Sequence, residues 1–135
     1  MKPVEVLVVE DNAGDILLMK QALARESFPI SIRVALDGKQ AVQMLAARNF
    51  HPDLVILDLN LPKMDGLSVL ECTSPYVPVV VFTSSSSSAD RRAAFELGVV
   101  EYVQKPSDLK EYTSVVIQIV RNWAAPDQTA GANQP

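Results

Sequence analysis

Val4-Glu5-Val6-Leu7-Val8-Val9 runs directly into Glu10-Asp11-Asn12, so a short β-branched apolar run ends on two adjacent acids and a residue suited to cap a helix. Apart from Glu5 the run does not alternate between apolar and polar residues, as a strand with one wet face would. Strands covered on both faces read this way, and they belong to parallel sheets. Four more short runs share the character: Ile32 to Ala35, Leu54 to Leu57, Val79 to Phe82 and Tyr102 to Val103. Between them lie segments of helical period. Ile16, Met19 and Leu23 make one apolar stripe, and Ala41, Val42 and Leu45 a second. Ala93, Ala94 and Leu97 make a weaker one ending at Gly98, and Leu109, Tyr112, Val116, Ile119 and Trp123 a strong one. The remaining segment, Gly66 to Cys72, has room for about two turns before Ser74, Pro75 and Pro78 break it. Strict alternation of strand and helix predicts an α/β fold, a doubly wound five-stranded parallel sheet with right-handed crossovers, flanked by five helices.

The chain has 135 residues, 48% hydrophobic and 21% charged, which fits one globular domain with a single core. Residues 1–123 are expected to form that domain. Residues 124–135 are small and polar, with Pro126, Gly131 and Pro135, and are expected to be a disordered tail. Sixteen acids against twelve bases leave a net charge of -4, which argues against nucleic acid as a partner. The longest apolar stretches fall far short of the roughly 18 residues that a membrane span needs. Pro3 and Glu5 inside the first apolar run do not fit a signal peptide. Cys72 is the only cysteine, so no intrachain disulfide can form, and Cys72 with His51 cannot make a zinc cluster. An unpaired thiol fits a reducing cytoplasm. Cys72 has no neighbouring histidine or basic cluster and reads as inert and buried. His51, before Pro52, reads as a loop residue, and Ser84 to Ser88 as a loop between strand and helix. Asp37-Gly38 and Met64-Asp65-Gly66 fit turns entering helices.

A doubly wound sheet opens its ligand crevice at the carboxyl ends of its strands. Glu10 and Asp11 follow the first strand, Asp58 the third, Thr83 closes the fourth, and Lys105 follows the fifth. Taken singly, each has an ordinary explanation: a helix cap, a loop acid, a strand-end threonine, a surface lysine. Together they bring three acids, a hydroxyl and an amine to one edge. Converging carboxylates repel unless a cation compensates them. Oxygen ligands in small number, with room for water and a phosphoryl group, suit Mg2+ better than a fully caged calcium site. Lys105 adds a second positive charge. Such a site is suited to receive a phosphoryl group on a carboxylate nucleophile.

Val8-Val9-Glu10-Asp11-Asn12, Leu57-Asp58-Leu59-Asn60-Leu61-Pro62, Met64-Asp65-Gly66, Thr83, Gly98 and Lys105-Pro106 together resemble the receiver domain of two-component response regulators, in the CheY-like superfamily with its flavodoxin-like fold. The resemblance runs from about Val4 to Trp123. Glu10-Asp11-Asn12-Ala13-Gly14-Asp15 further resembles the stand-alone receivers paired with phytochrome-type and other hybrid histidine kinases. The resemblance implies that Asp58 is the phosphoacceptor and that Asp11 binds Mg2+ directly, with Glu10 acting through water. Asp58 and the backbone carbonyl of Asn60 would complete the protein ligands. Lys105 would hold a phosphoryl oxygen, before a Pro106 whose peptide bond is usually cis in this family. Thr83 and Tyr102 resemble the switch pair, in which the hydroxyl moves onto the phosphoryl group and the aromatic ring turns inward.

The expected function is that of a cytoplasmic, single-domain response regulator, a signalling protein rather than an enzyme. It would take a phosphoryl group from a sensor histidine kinase, phytochrome-type or hybrid, or from a histidine phosphotransfer protein, and then change partner binding or self-association. Two other readings remain. A metal-dependent phosphohydrolase of the haloacid dehalogenase type would carry Asp-x-Asp after an early strand, where this chain has adjacent Glu10-Asp11. A scaffold without phosphotransfer is disfavoured because all five site positions are filled. The chain departs from the family in one spacing, since Asp58 and Thr83 stand 25 positions apart (58 to 83), several fewer than usual. The shortage falls on the third helix and the loop after it. In the last helix, Leu109, Tyr112, Val115, Val116, Ile117, Ile119, Val120 and Trp123 spread over an arc of about 200°, against roughly 100° needed to pack on a sheet. A homodimer through that helix is therefore expected.

Overall fold

A computed structural model describes residues 2–73 and 76–126 of the chain. Among them, strands β1 (Val4–Val9), β2 (Ile30–Ala35), β3 (Leu54–Leu57), β4 (Val79–Thr83) and β5 (Glu101–Gln104) alternate with five helices. The helices are α1 (Ala13–Leu23), α2 (Gly38–Ala46), α3 (Gly66–Leu70), α4 (Ser88–Glu96) and α5 (Leu109–Ala124). All strand pairs are parallel, in the order β2-β1-β3-β4-β5. The chain thus steps outward from β1 to β2, then crosses back to β3 on the other side of β1. That reversal opens a crevice between the carboxyl ends of β1 and β3.

The pleat sorts the apolar strand residues into two cores. Val4, Val6, Val8, Leu54, Ile56, Val80 and Phe82 face α1 and α5, where they meet Met19, Leu23, Tyr112, Val116 and Ile119. Leu7, Val9, Val55, Leu57, Val79 and Val81 face the other way, onto Ala41, Val69, Leu70 and Ala94. The lack of alternation in β1, β3 and β4 follows from this double coverage.

Each of the five helices begins on a side chain that accepts a backbone N–H three residues on: Asn12, Asp37, Asp65, Ser87 and Asp108. Gly38 and Gly66 stand where backbone comes close. A Cβ on Gly38 would lie 2.3 Å from the Met64 carbonyl oxygen, and one on Gly66 2.6 Å from Leu59 Cα. Gly98, at φ 98°, turns the chain after α4.

Some expectations are revised. The third helix stops at Leu70, so Cys72 falls in the turn beyond it and is exposed rather than buried. Helix α5 runs through Ala124, which is buried, so Ala124 belongs to the folded domain and not to the expected tail, of which residues 127–135 lie outside the described residues. The wide apolar arc of α5 is mostly covered. Tyr112, Val116, Ile119 and Val120 are buried, and Val115 and Ile117 pack against the same core. Helix α1 accounts for the excess width, because α5 packs on it as well as on the sheet. Leu109 and Trp123 alone of the eight stay exposed, and Trp123 Nε1 donates to Glu101 Oε1 at 2.9 Å. Among the described residues no helix is long and apolar enough to cross a membrane.

Candidate functional site

Four strand ends meet at the crevice. Glu10, Asp58 and Thr83 are the buried polar residues among those described, at 1%, 7% and 0% exposure. The Lys105 ammonium reaches in from the β5–α5 loop, directed there by the bond from its backbone N–H to the Thr83 carbonyl at 2.7 Å. Lys105 Nζ donates to Glu10 Oε1 at 2.6 Å, to Asp58 Oδ2 at 3.1 Å and to Asp15 Oδ2 at 3.3 Å. The second oxygens of the two buried acids accept local backbone N–H groups, Asn12 on Glu10 Oε2 and Asn60 on Asp58 Oδ1. Asp11 and Asn60 are exposed beside this cluster, in the loops after β1 and β3.

One ammonium does not balance these carboxylates. Burial pushes Glu10 from 4.5 up to about 7, with the charge of Asp58 adding to the rise, despite the opposing pull of Lys105. For Lys105 burial works downward, but the bond to Glu10 and the charges of Glu10 and Asp58 outweigh it and raise the ammonium to about 12. Lys105 is therefore charged at any ordinary pH.

Thr83 Oγ1 accepts the Ser85 N–H at 3.3 Å, and the Tyr102 hydroxyl donates to the Ser85 carbonyl at 3.2 Å. Tyr102 is buried, its ring turned inward under the Arg91 guanidinium, whose carbon lies 5.7 Å from the ring centroid. Ser85 Oγ donates to Asp90 Oδ2 at 2.8 Å, which fastens this loop to the first turn of α4.

Residues 6–117 match the sequence profile of the response regulator receiver domain family. The chain belongs to that family. This receiver is similar to the phosphorylated cyanobacterial phytochrome response regulator RcpA, at 34% identity and a TM-score of 0.84 over 90% of this chain and 94% of that one. It is similar also to the Mn2+-bound form of response regulator Rcp1, at 32% identity and a TM-score of 0.83 over 91% of this chain and 96% of that one. In sequence it is similar to the response regulator MprA of Mycolicibacterium vanbaalenii, at 32% identity over 96% of this chain and 55% of MprA. The chain spans about half the length of the curated relatives it matches.

The receiver's expected site residues Glu10, Asp58 and Lys105 are brought into direct contact, and Thr83 and Tyr102 are joined through Ser85. Among the described residues no three His, Cys, Asp or Glu side chains form a ready metal cluster, and the Lys105 ammonium bridges Glu10 and Asp58. The donor chemistry still fits a hard divalent cation: oxygen donors only, and more negative charge than one lysine offsets. The Lys105–Pro106 bond is trans, against the cis form expected.

Two participants were not singled out in the sequence. Asp15 figures there only as part of a motif, and Tyr112 only as one apolar residue in a stripe. Tyr112 Oη donates to Asp15 Oδ1 at 2.5 Å, and burial, with the bond and charge of Asp15, holds the phenol well above its ordinary range. A hydroxyl amid an otherwise apolar stripe was the available signal, since a buried tyrosine needs a partner.

Proposed function

We propose that this receiver accepts a phosphoryl group on Asp58 in a Mg2+-dependent reaction and in that state changes its binding to partners or to itself. The observation that carries the reading is the contact of 3.1 Å between Lys105 Nζ and Asp58 Oδ2 in a crevice that leaves Asp58 only 7% exposed. The ammonium beside Asp58 offsets negative charge at the attacking oxygen and can follow that charge onto an incoming phosphoryl oxygen.

In the transfer an Asp58 oxygen attacks the phosphorus of a phosphohistidine. The O–P bond forms as the P–N bond breaks, and the imidazole leaves with the electron pair and takes a proton from solvent. Attack by water later returns the carboxylate and inorganic phosphate. Mg2+ held by Asp11, Asp58 and the Asn60 carbonyl, with Glu10 acting through water, would supply charge neutralisation on the phosphoryl oxygens. Thr83 and Tyr102 would pass the change to the α4 side through Ser85, whose backbone they share.

The donor in this reading is a sensor histidine kinase of the phytochrome or hybrid type, or a histidine phosphotransfer protein, acting in the cytoplasm. Likeness to RcpA and to the bacteriophytochrome response regulator AtBRR, at 35% identity and a TM-score of 0.69, supports that choice. Self-association through α5 would use Leu109 and Trp123, its exposed apolar residues.

Incubation with Mg2+ and acetyl phosphate, followed by intact mass, tests the reading. One covalent phosphoryl group per chain, absent in Asp58→Asn, is expected. An adduct of equal yield in Asp58→Asn overturns the assignment, and repeated turnover of a phosphate ester without an adduct points to a hydrolase instead.

A further inference from the structure

Lys105 serves three carboxylates, and the third, Asp15, takes no step in the proposed phosphotransfer. Asp15 stands at the third position of α1, where an acid ordinarily reaches back to the N–H of the capping residue. Here that N–H, on Asn12, is taken by Glu10 Oε2 at 3.2 Å. Asp15 is thereby left for partners remote in sequence: Oδ2 accepts from Lys105 Nζ at 3.3 Å and Oδ1 from the Tyr112 hydroxyl at 2.5 Å. The Tyr112 ring meets Phe82 edge-on at 5.1 Å, and Phe82 immediately precedes Thr83. Asp15, Lys105 and Tyr112 line one open hollow of about 360 Å³ between α1 and the start of α5.

We propose that Asp15 is a positioning residue that competes with Asp58 for Lys105, and that the Tyr112 hydroxyl sets the strength of that competition, coupling the phosphorylation site to helix α5. The inference rests on the proposed role of Asp58. A carboxylate that accepts a strong bond from a phenol has less charge to offer an ammonium. Removing the hydroxyl leaves Asp15 a stronger rival for Lys105. Removing the Asp15 charge frees Lys105 for Asp58 and for the phosphoryl oxygens. Coupling of this kind is reciprocal, so a phosphoryl group that draws Lys105 away alters the Asp15–Tyr112 bond in turn.

The two variants should therefore move in opposite directions. Tyr112→Phe keeps the ring on Phe82 and removes only the hydroxyl. It is expected to slow phosphorylation by acetyl phosphate, whose acetate leaves as the Asp58 O–P bond forms, about threefold or more. Asp15→Asn should speed it by a similar factor, and the double variant should match Asp15→Asn, because the hydroxyl then has no carboxylate to act through. Equal rates in all four proteins, or additive effects of the same sign, overturn the proposal. The Lys105 side-chain ammonium resonances give a readout that needs no phosphotransfer. They should shift in Tyr112→Phe and not shift further when that change is added to Asp15→Asn. If wild-type protein takes no phosphoryl group yet these resonances behave so, the role of Asp58 fails while the coupling stands. Lys105 resonances unmoved by Tyr112→Phe sink the coupling itself.

Discussion

Lys105 Nζ stands closer to Glu10 than to Asp58, at 2.6 Å against 3.1 Å, so the cation is shared unequally with the acid that is not expected to react. Glu10 nevertheless remains hard to ionise. Its carboxyl rises from 4.5 to about 7, first because it is buried and then because Asp58 lies near. Between those two values the folded chain keeps a proton that the unfolded chain has released. The stability gained from protonated Glu10 is therefore complete below about 4.5 and is lost as pH rises through about 7.

Chemical denaturation in the presence of a chelator should accordingly show stability declining as pH rises across that window, relative to Glu10→Gln, which has no proton to lose. Parallel pH profiles for the two proteins would refute the raised value.

Mg2+ binding should depend more on Asp11 than on Glu10. A direct ligand loses a bond when truncated, whereas a ligand acting through water can be replaced by another water. Calorimetric titration of Asp11→Ala and Glu10→Ala decides the order, and a greater loss at Glu10 reverses it.

The two kinds of constrained glycine should separate in a melting experiment. Gly98→Ala meets no atom within 4 Å and suffers only from its φ of 98°, at a cost of roughly 1–2 kcal/mol. Gly38→Ala drives a methyl to 2.3 Å from the Met64 carbonyl and must displace the loop after β3, so it should cost more. Equal losses would mean that the loop yields freely.

The self-association proposed through α5 should weaken about tenfold when Leu109 or Trp123 is replaced by Asp, since either change puts a charge into an apolar contact, read by sedimentation with and without phosphodonor. Sedimentation unchanged by both variants moves the contact elsewhere.

What the sequence disclosed follows from how local the information is. β1 and β3 are legible to the residue because each β-branched run ends abruptly on an acid, Glu10 or Asp58. β5 is longer than its apolar pair Tyr102-Val103, because an edge strand can begin and end on polar residues such as Glu101 and Gln104. The strand ends delivered Glu10, Asp58, Thr83 and Lys105 as a group, since a parallel sheet fixes which ends coincide. Asp15 and Tyr112 stayed hidden because their contact joins positions 97 apart on two helices, and no strand register aligns them. Cys72 was misplaced because its burial depended on where a five-residue helix would stop.

The contacts of Lys105 with Glu10, Asp15 and Asp58 close separations of 95, 90 and 47 positions. A growing polypeptide therefore carries all three acids well before it carries their cation. Until the fifth strand has been made and has docked beside the fourth, the carboxylates have no lysine among them, and in the partly synthesised chain water must supply what the ammonium later does. The cation thus joins the site at the last stage of assembly, and a chain truncated before Lys105 would bring its acids to the crevice with no ammonium among them, however much of the sheet it had formed.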